Sequence, residues 1–91
     1  MNADGIIIKN QDARNLVSAT IFKIQKIRIE KKISQRVIAD ALGVSQNAYS
    51  KIEQEHTRLQ LETLFIISKV LEVEILELLD FNHIPKSFKE V

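Results

Sequence analysis

The sequence predicts an all-α protein of five helices, and three observations point there. Apolar residues recur at helical spacing along most of the chain between Leu16 and Leu79. Ser34 and Ser45 each stand directly before such a stretch, with Gly43 between them, so that start and stop signals alternate as they do in joined helices. Leu, Ile, Lys and Glu dominate a 91-residue chain that has two glycines and one proline, which leaves little room for a loop-rich or β-sandwich fold. The size suits one domain with a modest core and no staple.

Taken in order, residues 1–10 hold Gly5-Ile6-Ile7-Ile8-Lys9, where the isoleucines favour either a small pairing strand or a loose apolar tail. A long helix should follow, from Asp12 or Arg14 to Lys31, with Leu16, Val17, Thr20, Ile24, Ile27 and Arg28 as its stripe. Ile21, Phe22 and Ile29 fall outside that stripe. Ile21 and Phe22 are therefore candidates for dimer contact or for packing under the N-terminal arm.

The second helix should run over residues 35–42, capped by Ser34, whose hydroxyl can accept an orphan amide hydrogen of the first turn. Ile38, Ala39 and Leu42 share one face, and Ala39 is small where a neighbour crosses. Gly43 then supplies the positive φ of a helix end. Ser45 caps a third helix over about residues 45–53, with Tyr49 and Ile52 on its buried face. Two capped helices joined by Gly43-Val44-Ser45 must cross steeply, which is helix-turn-helix geometry. A fourth helix is expected over residues 61–71, and a fifth over residues 73–79 with Ile75, Leu76, Leu78 and Leu79. Leu78 and Phe81 exceed what a five-helix core must bury. Pro85 ends regular structure, leaving residues 86–91 as a tail in which Phe88 offers a docking side chain. The chain divides into an arm (1–12), a helix-turn-helix domain (13–81) and a C-terminal tail (82–91).

The outer face of the third helix carries Gln46, Asn47, Ser50 and Lys51. Side chains of this kind can read base edges in a major groove, amides matching adenine and lysine matching guanine. Any one of them alone would pass for a solvated surface residue; together on a capped helix-turn-helix they point to DNA. At this level the segment ISQRVIADALGVSQNAYSKIE, followed by LETLFIISKVLEVEILELL, resembles the DNA-binding domain of Cro and lambda-type repressors, the xenobiotic-response-element family. The resemblance covers about residues 20–79 and implies a five-helix lambda-repressor-like fold. It also implies a phosphate-contacting set of Gln35, Arg28, Gln54, Arg58 and Ser45 around the base readers. Arg28 and Glu53 match a family pair that locks the recognition helix to the first helix, and Gln35 would brace Gln46 while touching a phosphate. Tyr49 occupies a usually aliphatic position, so its ring should pack while its hydroxyl reaches solvent or a phosphate. The family's last helix often builds a two-fold dimer, making a homodimer the expected state.

Two departures stand out. Residues 54–60 lack the usual Asn-Gly, basic residues and proline: Glu55 stands at the glycine, His56 and Thr57 at the basic positions, and Leu59 at the proline. Phosphate contacts carry most salt-dependent affinity, so this loop weighs against tight binding without touching the fold. Lys32 likewise replaces a glycine after the first helix, which predicts a strained cap.

Charge is unevenly spread although the net is only +1. Residues 18–33 hold Lys23, Lys26, Arg28, Lys31 and Lys32 against Glu30; residues 61–91 hold Lys69, Lys86 and Lys89 against Glu62, Glu72, Glu74, Glu77, Asp80 and Glu90. A basic side could meet phosphates while the acidic remainder stays clear. With no cysteine, disulfides and thiolate metal sites are excluded, and a reducing cytoplasm is the simplest compartment. His56 and His83 have no partners at ligand spacing, no serine has a triad signature, and no glycine-rich phosphate loop exists. No enzyme, metal or cofactor is expected, and no apolar run approaches the ~20 residues that span a bilayer. The expected partner is double-stranded DNA, with repression by excluding polymerase as the simplest mechanism. An antitoxin with the same fold, and therefore a toxin partner, is an alternative. A protein-interaction module that has lost DNA affinity is another.

Overall fold

The computed structural model of the protein describes residues 10–81. The segment around Ile6-Ile7-Ile8, together with His83, Pro85, Phe88 and the rest of the C-terminal tail, lies outside the described residues. The helices are α1 (Asn10–Glu30), α2 (Gln35–Leu42), α3 (Gln46–Glu53), α4 (Leu61–Leu71) and α5 (Ile75–Leu78). Among the described residues there is no strand, and no helix is long and apolar enough to cross a membrane. The α2 and α3 bounds follow the caps: the Ser34 hydroxyl accepts from the Val37 amide at 3.3 Å and the Ser45 hydroxyl from the Ala48 amide at 3.0 Å. α1 starts ahead of Asp12, and α5 is a single turn preceded by Val73 and Glu74 rather than a helix over 73–79.

The core is one cluster of Ile24, Ile38, Ala39, Tyr49, Leu64, Ile67, Leu71 and Leu78, so every helix contributes. α2 packs on α3 and α4, while α1 closes against α3, α4 and α5. Two sequence expectations are corrected here. Leu78 is fully buried and belongs to the core, whereas Leu76, 75% exposed, is the residue left outside it. Ile21 is buried, not a free dimer contact, while Leu16 and Val17 of the expected stripe are 49% and 43% exposed.

All four longer helices end in the same way. At Lys32, Gly43, Glu55 and Glu72 the chain turns left-handed, with φ of 59°, 72°, 63° and 57°. In each case the next amide reaches back five residues, as Ile33 to the Arg28 carbonyl (2.9 Å) and Val73 to the Ser68 carbonyl (3.1 Å). Only Gly43 is a glycine, so three caps hold side chains in a region that costs roughly 1–2 kcal/mol for a residue with a Cβ. Glycine there relieves the clash but adds unfolded-state entropy, about 0.5–1 kcal/mol. Lys32→Gly and Glu72→Gly, both at exposed positions, are therefore expected to raise stability by about 0.5–1 kcal/mol each. Urea denaturation checks this; a loss in both variants would refute the strain.

The basic residues before the motif have an internal use that sequence did not reveal. The Lys23 ammonium donates to the Glu77 and Asp80 carbonyls, each at 2.7 Å, and the Lys31 ammonium donates to the Leu71 carbonyl. Lys23 of α1 and Lys31, just past its end, thus meet the negative ends of the last two helices, where a cation is favoured. Of the basic stretch, Lys23, Arg28 and Lys31 thus fasten α5, α3 and α4 to the first helix, while Lys26 and Lys32 stay exposed without such a bond.

Candidate nucleic-acid interface

The helix that would read DNA is held from behind by one carboxylate. Glu53, the last residue of α3, is buried and receives donors on both oxygens. Oε1 accepts from Arg28 Nη2 (3.1 Å) and Gln35 Nε2 (2.9 Å); Oε2 accepts from Arg28 Nε (2.8 Å) and the Tyr49 hydroxyl (2.6 Å). Gln25 adds a bond from its Nε2 to the Glu53 carbonyl at 2.9 Å. Side chains of α1, α2 and α3 therefore converge on one residue, and a two-pronged guanidinium fixes direction as well as distance.

Arg28 and Glu53 pair at 2.8 Å, and the cluster around them also takes in Gln25, Gln35 and Tyr49. Three of its members take roles that differ from the sequence reading. Tyr49 is fully buried, and its hydroxyl donates to Glu53 instead of reaching solvent or phosphate. The Gln35 amide braces the end of α3 through Glu53, not its start through Gln46. Arg28 also donates from Nη1 to the Ile33 carbonyl at 3.1 Å and is only 13% exposed, so the fork that would grip a phosphate is turned inward. Gln25 was missed altogether. Its one sequence signal was its place three residues before Arg28, on the same side of α1.

Burial alone would raise the Glu53 carboxyl, but the bonds from Arg28, Tyr49 and Gln35 and the guanidinium charge prevail and hold it below its ordinary 4.5. Burial, then the bond to Glu53, pushes the Tyr49 phenol far up. A carboxyl lowered by folding stabilises fully above its unfolded-state value, and that stabilisation is lost as pH falls through the folded value. Melting temperature should thus drop below about pH 4.5, and Glu53→Gln should flatten that part of the profile. An unchanged acid slope in the variant would refute the assignment.

In front of this brace, Gln46, Asn47 and Lys51 are exposed and Ser50 is half-buried. Gln54 Nε2 donates to the Ser50 hydroxyl at 3.1 Å, so these two act as a pair one turn apart. Asn47 and Lys51 line a groove of about 620 Å³ together with Ser45, Arg58 and Glu62. Of the four residues expected to read bases, Asn47 and Lys51 thus share this groove with Ser45 and Arg58, and Gln46 and Ser50 are not in its lining. Glu55 lies on the loop behind α3, where its Oε1 accepts from the Ser18 hydroxyl at 2.6 Å. That bond draws the carboxylate toward α1. Among the described residues no group of His, Asp and Glu is placed to hold a metal ion.

Comparison with known proteins places a helix-turn-helix family match over residues 24–78, which spans α2 to α5 and the C-terminal part of α1. No curated protein matches the chain, and no solved structure does.

Proposed function

The chain belongs to the Cro/C1-type helix-turn-helix family of DNA-binding regulators, and from that premise we propose that it is a sequence-specific repressor acting as a homodimer. Each α3 enters a major groove, with Gln46, Asn47, Ser50 and Lys51 as base readers and Ser45, Gln54 and Arg58 beside the phosphates. The observation that supports this is the pairing of an outward polar edge with a helix whose far end is fixed by Glu53. Rigid mounting matters because a misplaced donor loses its base partner, and bidentate contacts supply roughly 1–3 kcal/mol of discrimination each. The exposed Leu76 and Leu79 on and after α5 support the dimer.

Selection from a random duplex library tests the reading. An inverted repeat should emerge with half-sites about one helical turn apart, and Lys51→Ala or Gln46→Ala should relax one half-site position by ~1–3 kcal/mol. With Lys51 and Arg58 as the cations beside the reading edge, the salt slope should be shallow, about −2 per protomer. Enrichment of no sequence would overturn the proposal. It would favour a protein-interaction module instead, for which the bonds of Lys23, Arg28 and Lys31 within the fold are the supporting observation.

A further inference from the structure

A second groove, of about 680 Å³, lies between the N-terminal half of α1 and the loop after α3, and its ionisable residues are Arg14, Glu55, His56 and Arg58. Arg58 lines this groove and also the one beside α3, where Lys51 stands. Glu55, three residues before Arg58, holds a φ of 63°, the left-handed conformation that favours glycine. Its Oε1 accepts from the Ser18 hydroxyl at 2.6 Å, and Ser18 belongs to the half of α1 ahead of the family match, which begins at residue 24. We propose that Ser18 is a positioning residue for DNA binding. By holding the Glu55 carboxylate at α1, it leaves the Arg58 guanidinium free for a phosphate.

The inference rests on Arg58 as a phosphate contact and says what keeps it available. A carboxylate that shares a groove with a guanidinium is the partner that charge-assisted hydrogen bonding selects for it. An Arg58 paired with Glu55 would be neutralised and turned from the backbone of DNA. Lys51 and Arg58 are the cations of the groove beside α3, so one diverted guanidinium is half of that set. Glu62 is the carboxylate of the same groove, and Ser18 does not touch it. The loop itself has little freedom, because the His56 and Thr57 amides both donate to the Lys51 carbonyl, at 2.8 and 3.2 Å. What remains to be decided is where the Glu55 and Arg58 side chains turn. α1 is bonded to the end of α3 through Gln25 and Arg28, so the Ser18 hydroxyl draws the carboxylate toward the braced side of that helix. Arg14 stands one turn before Ser18 on α1, and a pairing of Glu55 with Arg14 takes no cation from the reading edge. The residue that replaces a glycine, and that would repel phosphates, is thereby kept off them.

The test uses the full chain, random-sequence duplex DNA as the probe, and two variants: Ser18→Ala, and Ser18→Ala combined with Glu55→Gln. Alanine is a better helix former than serine, so α1 stays formed. Ser18→Ala should weaken binding roughly fivefold at about 50 mM salt and reduce the salt slope from about −2 to about −1 per protomer. Adding Glu55→Gln should restore both, since an amide carries no charge to repel phosphates or to hold a guanidinium. Without DNA, the Arg58 Nε–H resonance should shift with Ser18→Ala and return with the added Glu55→Gln. An unchanged slope, or a loss that Glu55→Gln does not restore, would overturn the inference and leave Ser18 a structural residue of α1. A parent that binds no duplex defeats the DNA-binding reading itself. The Ser18–Glu55 contact is then judged by the Arg58 resonance alone, and a resonance that does not move overturns it too.

Discussion

Glu53→Ala is expected to cost about 3–5 kcal/mol of folding stability, the usual result of removing one partner from a buried ion pair. The loss is large because the carboxylate satisfies three side chains at once. Without it, Arg28 keeps an uncompensated charge at 13% exposure, and the Tyr49 hydroxyl and Gln35 amide lose acceptors in the interior. For a domain whose total stability is of order 5–15 kcal/mol, this unfolds a large part of the population. The control is a double variant, Arg28→Met with Glu53→Leu, which leaves no buried charge and should cost clearly less than the two single changes added together. Tyr49→Phe removes only the hydroxyl and should cost about 1–3 kcal/mol. Urea denaturation reads all of these. If Glu53→Ala stays within about 0.5 kcal/mol of the parent, the convergence on this residue is decorative and the mounting of α3 has another source.

Leu78→Ala should be nearly as damaging, at about 2–5 kcal/mol, because its side chain is completely enclosed with Ile24, Leu71 and the rest of the cluster. Leu76→Ala, two residues earlier and 75% exposed, should stay within about 0.5 kcal/mol when measured on dilute protein. The contrast decides how α5 is oriented. A single helical turn has little intrinsic stability, and the position of α5 is fixed by Leu78 below and by the Lys23 ammonium on the Glu77 and Asp80 carbonyls. A neutral Leu78→Ala beside a damaging Leu76→Ala would mean the helix presents its other face. In sedimentation at higher concentration, the Leu76 change is the one expected to weaken self-association, since that side chain has no other apolar cover.

The two predictions also separate two uses of charge in this molecule. Arg28, Lys23 and Lys31 are each fixed by a named acceptor inside the fold, so they contribute to order more than to attraction of DNA. Lys51 and Arg58 stand at the groove beside α3. The shallow salt dependence expected of the protein follows from that division, since screened attraction scales with the cations that reach phosphates.

The sequence by itself determined the elements whose signals are local. Ser34, Gly43 and Ser45 set the ends of α2 and α3 because a cap is a contact between residues a few positions apart. The outward pair Asn47 and Lys51 was legible for the same reason: helical spacing alone puts these residues away from the face of Tyr49 and Ile52. The left-handed strain at Lys32 was readable too, from the glycine it replaces. Tertiary structure alone decided the rest. Periodicity could not say which leucine of a one-turn helix is enclosed, because that depends on where α1 and α4 stand. Nor could it show that the Tyr49 hydroxyl turns to Glu53, or that Lys23 and Lys31 end on carbonyls 40 and more residues away. Those contacts join groups far apart in the chain, and only the packing of apolar faces brings them within hydrogen-bonding distance.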